Sequence, residues 1–249
     1  MNNYPWFHKQ EVGPFFLNEN EWKFTETETT FQIPQRHIQH IRKALRIKKE
    51  TIFWVTNGTD LAKKYLLKSN DNVENQKESF EITENKTIFS IMVPAINKKR
   101  LELLIQKSVE LGTDGFYFIQ SDRANYKPPS LERLRLLAEN AMYQSKNPRM
   151  PFFKFMPNSI FEVNLKEDKL ILWGDYHSSE KIEHLIKKTP KKEIMFILGP
   201  EGGWSIAERE YLKNNFHSIS LSENVLRVET AALCAAYHVK KLIRHIHES

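Results

Sequence analysis

The chain has 249 residues, 40% of them hydrophobic and 27% charged, with a net charge of +6 and a single cysteine. This composition is ordinary for a globular protein of one large or two smaller domains, and it excludes a disordered chain, a disulfide-stapled module and a membrane-spanning helix. The amino terminus lacks the basic stretch and apolar core of a secretory signal, so the expected location is cytoplasmic with no membrane partner, and the moderate basicity suits a nucleic-acid partner.

The first third reads as small and strand-rich. Residues 22–33 (WKFTETETTFQI) partly alternate large and charged side chains, and 51–55 (TIFWV) form a second candidate strand. Asn57-Gly58 then predicts a tight turn into a returning strand over 60–67. Between these strands lies IPQRHIQHIRKALRIKKE, with Ile38, Ile41 and Leu45 spaced for one helical face. Its section from Arg36 to Lys49 carries six Lys or Arg, together with His37 and His40, and no acid. A solvated helix face would account for such a run, and so would contact with a phosphate backbone. The polar stretch 69–77 reads as a loop, which places a domain boundary near residue 75.

From residue 87 the pattern changes to strands alternating with helices, which predicts a parallel α/β sheet. Strands are expected at 87–93, 115–120 and 169–173. A helix over 97–111 should end in a left-handed cap at Gly112. The loop 121–129 follows a strand, where ligands of such sheets collect, and Ser130 can cap a helix running to Ser145. A shorter helix is expected over 178–188.

The stretch 194–238 organises the rest. Residues 194–198 are a short apolar run, expected as a strand buried on both faces, and they lead into Gly199-Pro200-Glu201-Gly202-Gly203. Ser205 and Glu208 have capping-box spacing, so a helix should begin there. A strand, a glycine turn and a helix let the backbone approach a ligand closely. Neither glycine-rich phosphate fingerprint is present, and Glu201 would repel a phosphate while tolerating a cation. A further strand is expected at 218–221, and Glu229 should open a helix running to about 246.

GPEGGWSxxE, followed some twenty residues later by an L-x-x-x-[VI]-L-R-x-E-T-A run, resembles the knotted SPOUT methyltransferases, and more narrowly the RsmE-type family that methylates uridine N3 in 16S ribosomal RNA. The resemblance implies S-adenosyl-L-methionine as methyl donor and an α/β fold, with a parallel sheet and a carboxyl-terminal deep trefoil knot over 76–249. It also implies a PUA-like RNA-binding β-barrel over 1–75. The donor pocket is then expected along Leu198, Gly199, Pro200, Glu201, Gly202 and Gly203, with Trp173 and Gly174 beside it. Leu221, Ser222, Val225, Leu226, Arg227 and Thr230 complete it. Arg227 is the candidate cation for the acceptor base, and Glu201 and Glu229 are candidate proton acceptors, although Glu229 at a helix start could simply complement the helix dipole. RNA contacts are expected from His37, His40, Arg42, Arg46, Arg100, Arg123, Gln144 and Arg149. The expected partners are small-subunit RNA within the assembled 30S subunit and a second copy of the chain, with the donor site at the homodimer interface. No metal is expected, since the histidines show no ligand spacing.

Three residues depart from the family pattern: Tyr143 replaces a usual glutamate, Asn147 a usual arginine and Ser222 a usual glycine. Were residue 222 in a left-handed conformation, serine would weaken the donor site. Tyr143 and Asn147 leave open a SPOUT methyltransferase with another RNA target, and Ser222 leaves open a non-catalytic RNA-binding assembly factor.

Overall fold

The computed structural model describes residues 4–7, 11–27, 33–124, 126–127, 129–162, 168–188 and 192–248. Its contacts divide into two units, Met1–Glu84 with Glu139–Met150, and Asn85–Ala138 with Pro151–Ser249.

In the first unit, β1 (Glu11–Phe16) is followed by helix α1 (Glu19–Thr27) and the short helix α2 (Gln35–Gln39), which continues as a π-helical turn over His40–Ala44. Strands β2 (Thr51–Thr56), β3 (Leu61–Leu67) and β4 (Val73–Glu81) complete a four-stranded sheet in the order β1-β2-β3-β4. The β2–β3 hairpin turns at Asn57, whose side-chain oxygen accepts from the backbone N–H groups of Thr59, Asp60 and Leu61. Two expectations are corrected here. Residues 22–27 are helical, because Asn18 and Glu21 exchange reciprocal bonds (Glu21 N to Asn18 Oδ1 3.1 Å, Asn18 N to Glu21 Oε2 3.0 Å) and nucleate α1; residues 28–32 lie outside the described residues. The sheet also runs on past residue 75, since β4 pairs antiparallel with β3 from Val73 to Glu81. As an outer strand with no buried side chain, β4 gives no apolar periodicity.

The core of this unit is aromatic, with Phe15, Trp22, Phe53 and Tyr65 packed on Ile38, Ile41 and Leu67. Ile38 and Ile41 are buried as their spacing predicts, but Leu45 is exposed: the π turn shifts it off the apolar face, and Arg46 ends the segment at φ 57°. Tyr143 belongs to the same cluster, its ring 4.9 Å from that of Phe15 and nearly parallel to it, and edge-on to His40 at 4.4 Å. Burial pushes its phenol up to about 12.

The second unit is one six-stranded sheet in which every pairing is parallel. Its elements are β5 (Ile88–Pro94), α3 (Lys98–Glu110), β6 (Gly115–Gln120), the start of α4 (Leu131–Ser145), β7 (Phe152–Ser159), β8 (Lys169–Gly174), α5 (Ile182–Lys188), β9 (Glu193–Ile197), α6 (Ile206–Asn215), β10 (His217–Ile219) and α7 (Val228–Glu248). The order is β10-β8-β9-β5-β6-β7. The inner strands are continuous apolar runs buried on both faces, as expected of a parallel sheet covered by helices. Gly112 takes the expected left-handed cap at φ 86°. Edge strand β7 was not predicted, because an edge position tolerates polar residues and a proline. Helix α7 buries Ala232, Ala235, Ala236 and Val239 and packs on α3. Lys240 on α7 reaches Asp114 at 3.0 Å, and that carboxylate also accepts from the N–H of Phe89.

Candidate active site

Because all six strands are parallel, their carboxyl ends share one edge, and the chain reverses its direction of travel across the sheet between β5 and β9. Ligands of open α/β sheets bind at such a switch point. The loops that meet there are 95–97, which opens α3, and 198–205, which opens α6; the loops after β8 and β10 lie next to them in strand order.

The 198–205 loop is tightly determined. Leu198 N donates to Met92 O across to β5, and Gly203 N closes a turn on Pro200 O. Gly203 sits at φ 70°, and a Cβ on Gly199 would stand 3.0 Å from the Trp204 indole nitrogen. Gly203 therefore needs glycine for its backbone, and a side chain at Gly199 would press on the Trp204 ring. The expected capping box is present, with Ser205 accepting from Glu208 N and Glu208 Oε2 accepting from Ser205 N at 2.8 Å. Glu208 is fully buried, and its other oxygen accepts from Asp122 N at 3.1 Å, which fastens the loop after β6 to the start of α6. Arg123 in that loop donates to Gly202 O at 3.1 Å.

Arg100, from the first turn of α3, spans the switch point. Its Nη1 bonds Glu201 Oε1 at 2.8 Å, and its Nε lies 3.9 Å from Glu229 Oε1 at the start of α7. Arg100 thus holds the two candidate proton acceptors together. Arg227 takes no part in this cluster: it is exposed and forms no ion pair among the described residues. Glu229 is only 8% exposed, and its Oε2 has no hydrogen-bond partner. A buried, unpaired carboxylate oxygen costs on the order of 1–3 kcal/mol or more, a sum that a cationic ligand would offset.

The remaining expected donor residues fall into two groups. Gly174 closes β8 and the 220–227 loop follows β10; Asp175 N to Ile219 O and Ser178 Oγ to Ser218 O tie the segment after β8 to β10, while Ser220 Oγ donates to Ser222 O and Ser222 Oγ accepts from Asn224 N within the loop itself. Ser222 is not among the residues with left-handed backbone, which are Arg46, Asp71, Lys77 and Lys146 besides glycines among the described residues. The conformational penalty considered for serine there does not arise. Val225, Arg227 and Thr230 are exposed, and Leu221 and Leu226 half-buried. Leu198 and Trp173, by contrast, are buried, and the Trp173 indole belongs to the core under the sheet, so Trp173 offers the site its backbone alone.

The expected RNA contacts separate in the same way. Arg42 is committed internally: it bonds Asp71 at 2.7 Å and the carbonyls of Ile47, Lys49 and Lys68. His37 is buried against Phe15, and burial, aided by the nearby Arg36, pushes its pKa down to about 4. It therefore presents no charge near neutral pH. His40 is half-buried, Arg149 bonds the Thr59 carbonyl, and Gln144 is exposed. Of the exposed cations of the basic run, Arg36 is paired with Glu21, which leaves Lys43, Arg46, Lys48 and Lys49, and the sequence supplied no way to tell them from Arg42. A cleft of about 450 Å³, lined in part by Phe118, Gln120, Ser121, Tyr126, Lys127 and Phe155, opens over β6 and β7 rather than over the glycine turn. No three His, Cys, Asp or Glu side chains among the described residues are grouped to hold a metal, and no described helix is long and apolar enough to cross a membrane.

Fold and site define an α/β protein whose glycine turn and acid-rich cluster meet at the carboxyl edge of a parallel sheet. Residues 83–240 match the RNA methyltransferase domain family. The chain belongs to that family and is an RNA methyltransferase. It is 28% identical over 221 residues to ribosomal RNA small subunit methyltransferase E of Rickettsia conorii, covering 85% of this chain and 89% of that protein. It is 27% identical over 238 residues to the protein of that name from Mesomycoplasma hyopneumoniae, covering 88% and 95%. Its fold matches the crystal structure of the Neisseria gonorrhoeae ribosomal RNA small subunit methyltransferase E bound to S-adenosyl methionine, with a TM-score of 0.74 at 22% identity over 93% of this chain and 98% of that one.

Proposed function

We propose that this chain transfers a methyl group from S-adenosyl-L-methionine to N3 of a uridine in 16S ribosomal RNA, acting on the assembled 30S subunit in the cytoplasm. The observation that carries the reading is the Arg100–Glu201–Glu229 cluster at the switch point: two carboxylates share one guanidinium beside a glycine turn, while the Arg123 guanidinium is engaged by the Gly202 carbonyl, an arrangement that suits a cationic donor better than a nucleotide phosphate. When bound, S-adenosylmethionine supplies a methyl group activated on a sulfonium. The loops 198–203 and 221–226 would hold its adenosine by backbone, and Arg227 would stabilise the negative charge on uridine N3 as that nitrogen gives up its proton. Glu201, held by Arg100, stands at the exposed turn on the path of that proton.

The first unit is proposed as a PUA-like RNA-binding barrel, supported by its small sheet and the exposed cations from Lys43 to Lys49. The segment after β9 is proposed to thread a deep trefoil knot, in keeping with the family resemblance of its motifs. Exposed Ile206, Val225 and Tyr237 support a homodimer with the donor site at the interface.

The test is tritium transfer from labelled S-adenosylmethionine to purified small subunits that lack their own methylation, followed by nucleoside analysis. Label in 3-methyluridine is expected. Transfer to a different nucleoside, or none with donor binding intact, would reject the uridine-N3 assignment.

A further inference from the structure

We infer that Glu229 is the residue that distinguishes the methyl donor from its spent product, by placing a buried negative charge against the donor's sulfonium. The inference rests on the donor assignment above and names the side chain that reads the donor's charge.

Two acids could serve, and the geometry separates them. Glu201 is hydrogen-bonded by Arg100 Nη1 at 2.8 Å, and its side chain is a quarter exposed, so its charge is both paired and solvated. Glu229 lies 3.9 Å from Arg100 Nε, which is close enough for attraction and too far for a hydrogen bond. Its second oxygen is shielded from solvent and has no partner. Glu229 follows directly on the 221–227 loop and shares Arg100 with the glycine turn, so this oxygen belongs to the place where the two donor loops meet. The two carboxylates share the Arg100 guanidinium unequally, Arg123 being engaged by the Gly202 carbonyl, and the buried, unbonded oxygen of Glu229 is where negative charge is least satisfied.

Chemistry gives the cluster its use. The donor carries a sulfonium, whereas after methyl transfer the sulfur is a neutral thioether; adenosine, ammonium and carboxylate are unchanged. A contact to any of those shared groups binds donor and product alike. A buried carboxylate beside the sulfur favours the donor alone and so promotes product exchange, since a low-dielectric setting strengthens its attraction for the sulfonium and gives it nothing to hold in the thioether.

The experiment is isothermal titration calorimetry of the full chain with S-adenosylmethionine and with S-adenosylhomocysteine, for wild type and Glu229→Gln. Glutamine keeps the shape and removes the charge. Expected is a loss of at least about tenfold in affinity for S-adenosylmethionine, with S-adenosylhomocysteine changed by less than about threefold. An equal loss for both ligands, or no loss for either, overturns the inference. Should Glu229→Gln fail to fold, as judged by circular dichroism, Glu229→Asp carries the same test. It keeps the charge but withdraws it, and should weaken the donor selectively; equal weakening of both again overturns the idea. Wild type binding neither ligand would reject the donor assignment itself, a result distinguishable because no variant is involved.

Discussion

His37 illustrates how one side chain reverses its meaning between sequence and structure. In a basic run it reads as a phosphate contact, yet its ring is buried against Phe15, its Nε2 is unpaired, and burial followed by the Arg36 charge lowers its pKa to about 4. The sign of the consequence is fixed. The unfolded chain takes up this proton near 6.5 and the folded chain only near 4, so stability is undiminished above 6.5 and falls as the pH drops from 6.5 towards 4. At about 1.4 kcal/mol per pKa unit the loss is on the order of 3 kcal/mol. Urea unfolding at pH 7 and pH 4.5 should therefore show a smaller acid-side loss in His37→Gln than in wild type; equal losses would mean that His37 does not titrate against folding. Tyr143 belongs to the same neighbourhood. Its ring lies between Phe15 and His40, where a glutamate would place a charge against aromatic faces. Its departure from the family pattern is thus accounted for by packing within the first unit.

At the scale of elements, legibility followed the strength of local signals. The buried strands β5, β6, β8 and β9 and the capped start of α6 were readable because continuous apolar runs and the Ser205–Glu208 spacing each admit one interpretation. Helix α1 was not, although Asn18 and Glu21 form a box of the same kind, because the alternation that follows outweighed it. Strand β4 was not, because an outer strand needs no apolar period. Within the site, the glycine turn was legible, and the pairing of Arg100 with Glu201 and Glu229 was not: these residues lie about a hundred or more positions apart, and spacing carries no information at that range. The α6 cap also shows what one box can do in a larger network. Ser205→Ala should remove about 1 kcal/mol of stability, as for an ordinary helix cap. Glu208→Ala should cost more, roughly 2–4 kcal/mol, because it strips charge-assisted bonds from the N–H groups of both Ser205 and Asp122. Denaturant midpoints of the two variants give the comparison, and equal losses would show that the link to the loop after β6 adds nothing.

For the whole molecule the question is what covers the carboxyl edge of the sheet in the second unit. Ile206 and Val225 are each 78% exposed and Tyr237 is 57% exposed, and they stand on α6, on the loop after β10 and on α7, the elements that carry the glycine turn and Glu229. Large apolar side chains so exposed are what a second copy would cover. A dimer closed by two-fold symmetry would bury the same three residues from both copies at once, so each substitution acts twice. Light scattering after size exclusion should give twice the 29.5 kDa chain mass at micromolar concentration. Val225→Asp should shift that mass towards the monomer and weaken donor binding together, since the loop that carries Val225 also lines the proposed donor pocket. A monomer in the wild type, or a Val225→Asp monomer that binds S-adenosylmethionine as tightly as wild type, would place the donor site within one chain and leave these apolar residues for the RNA.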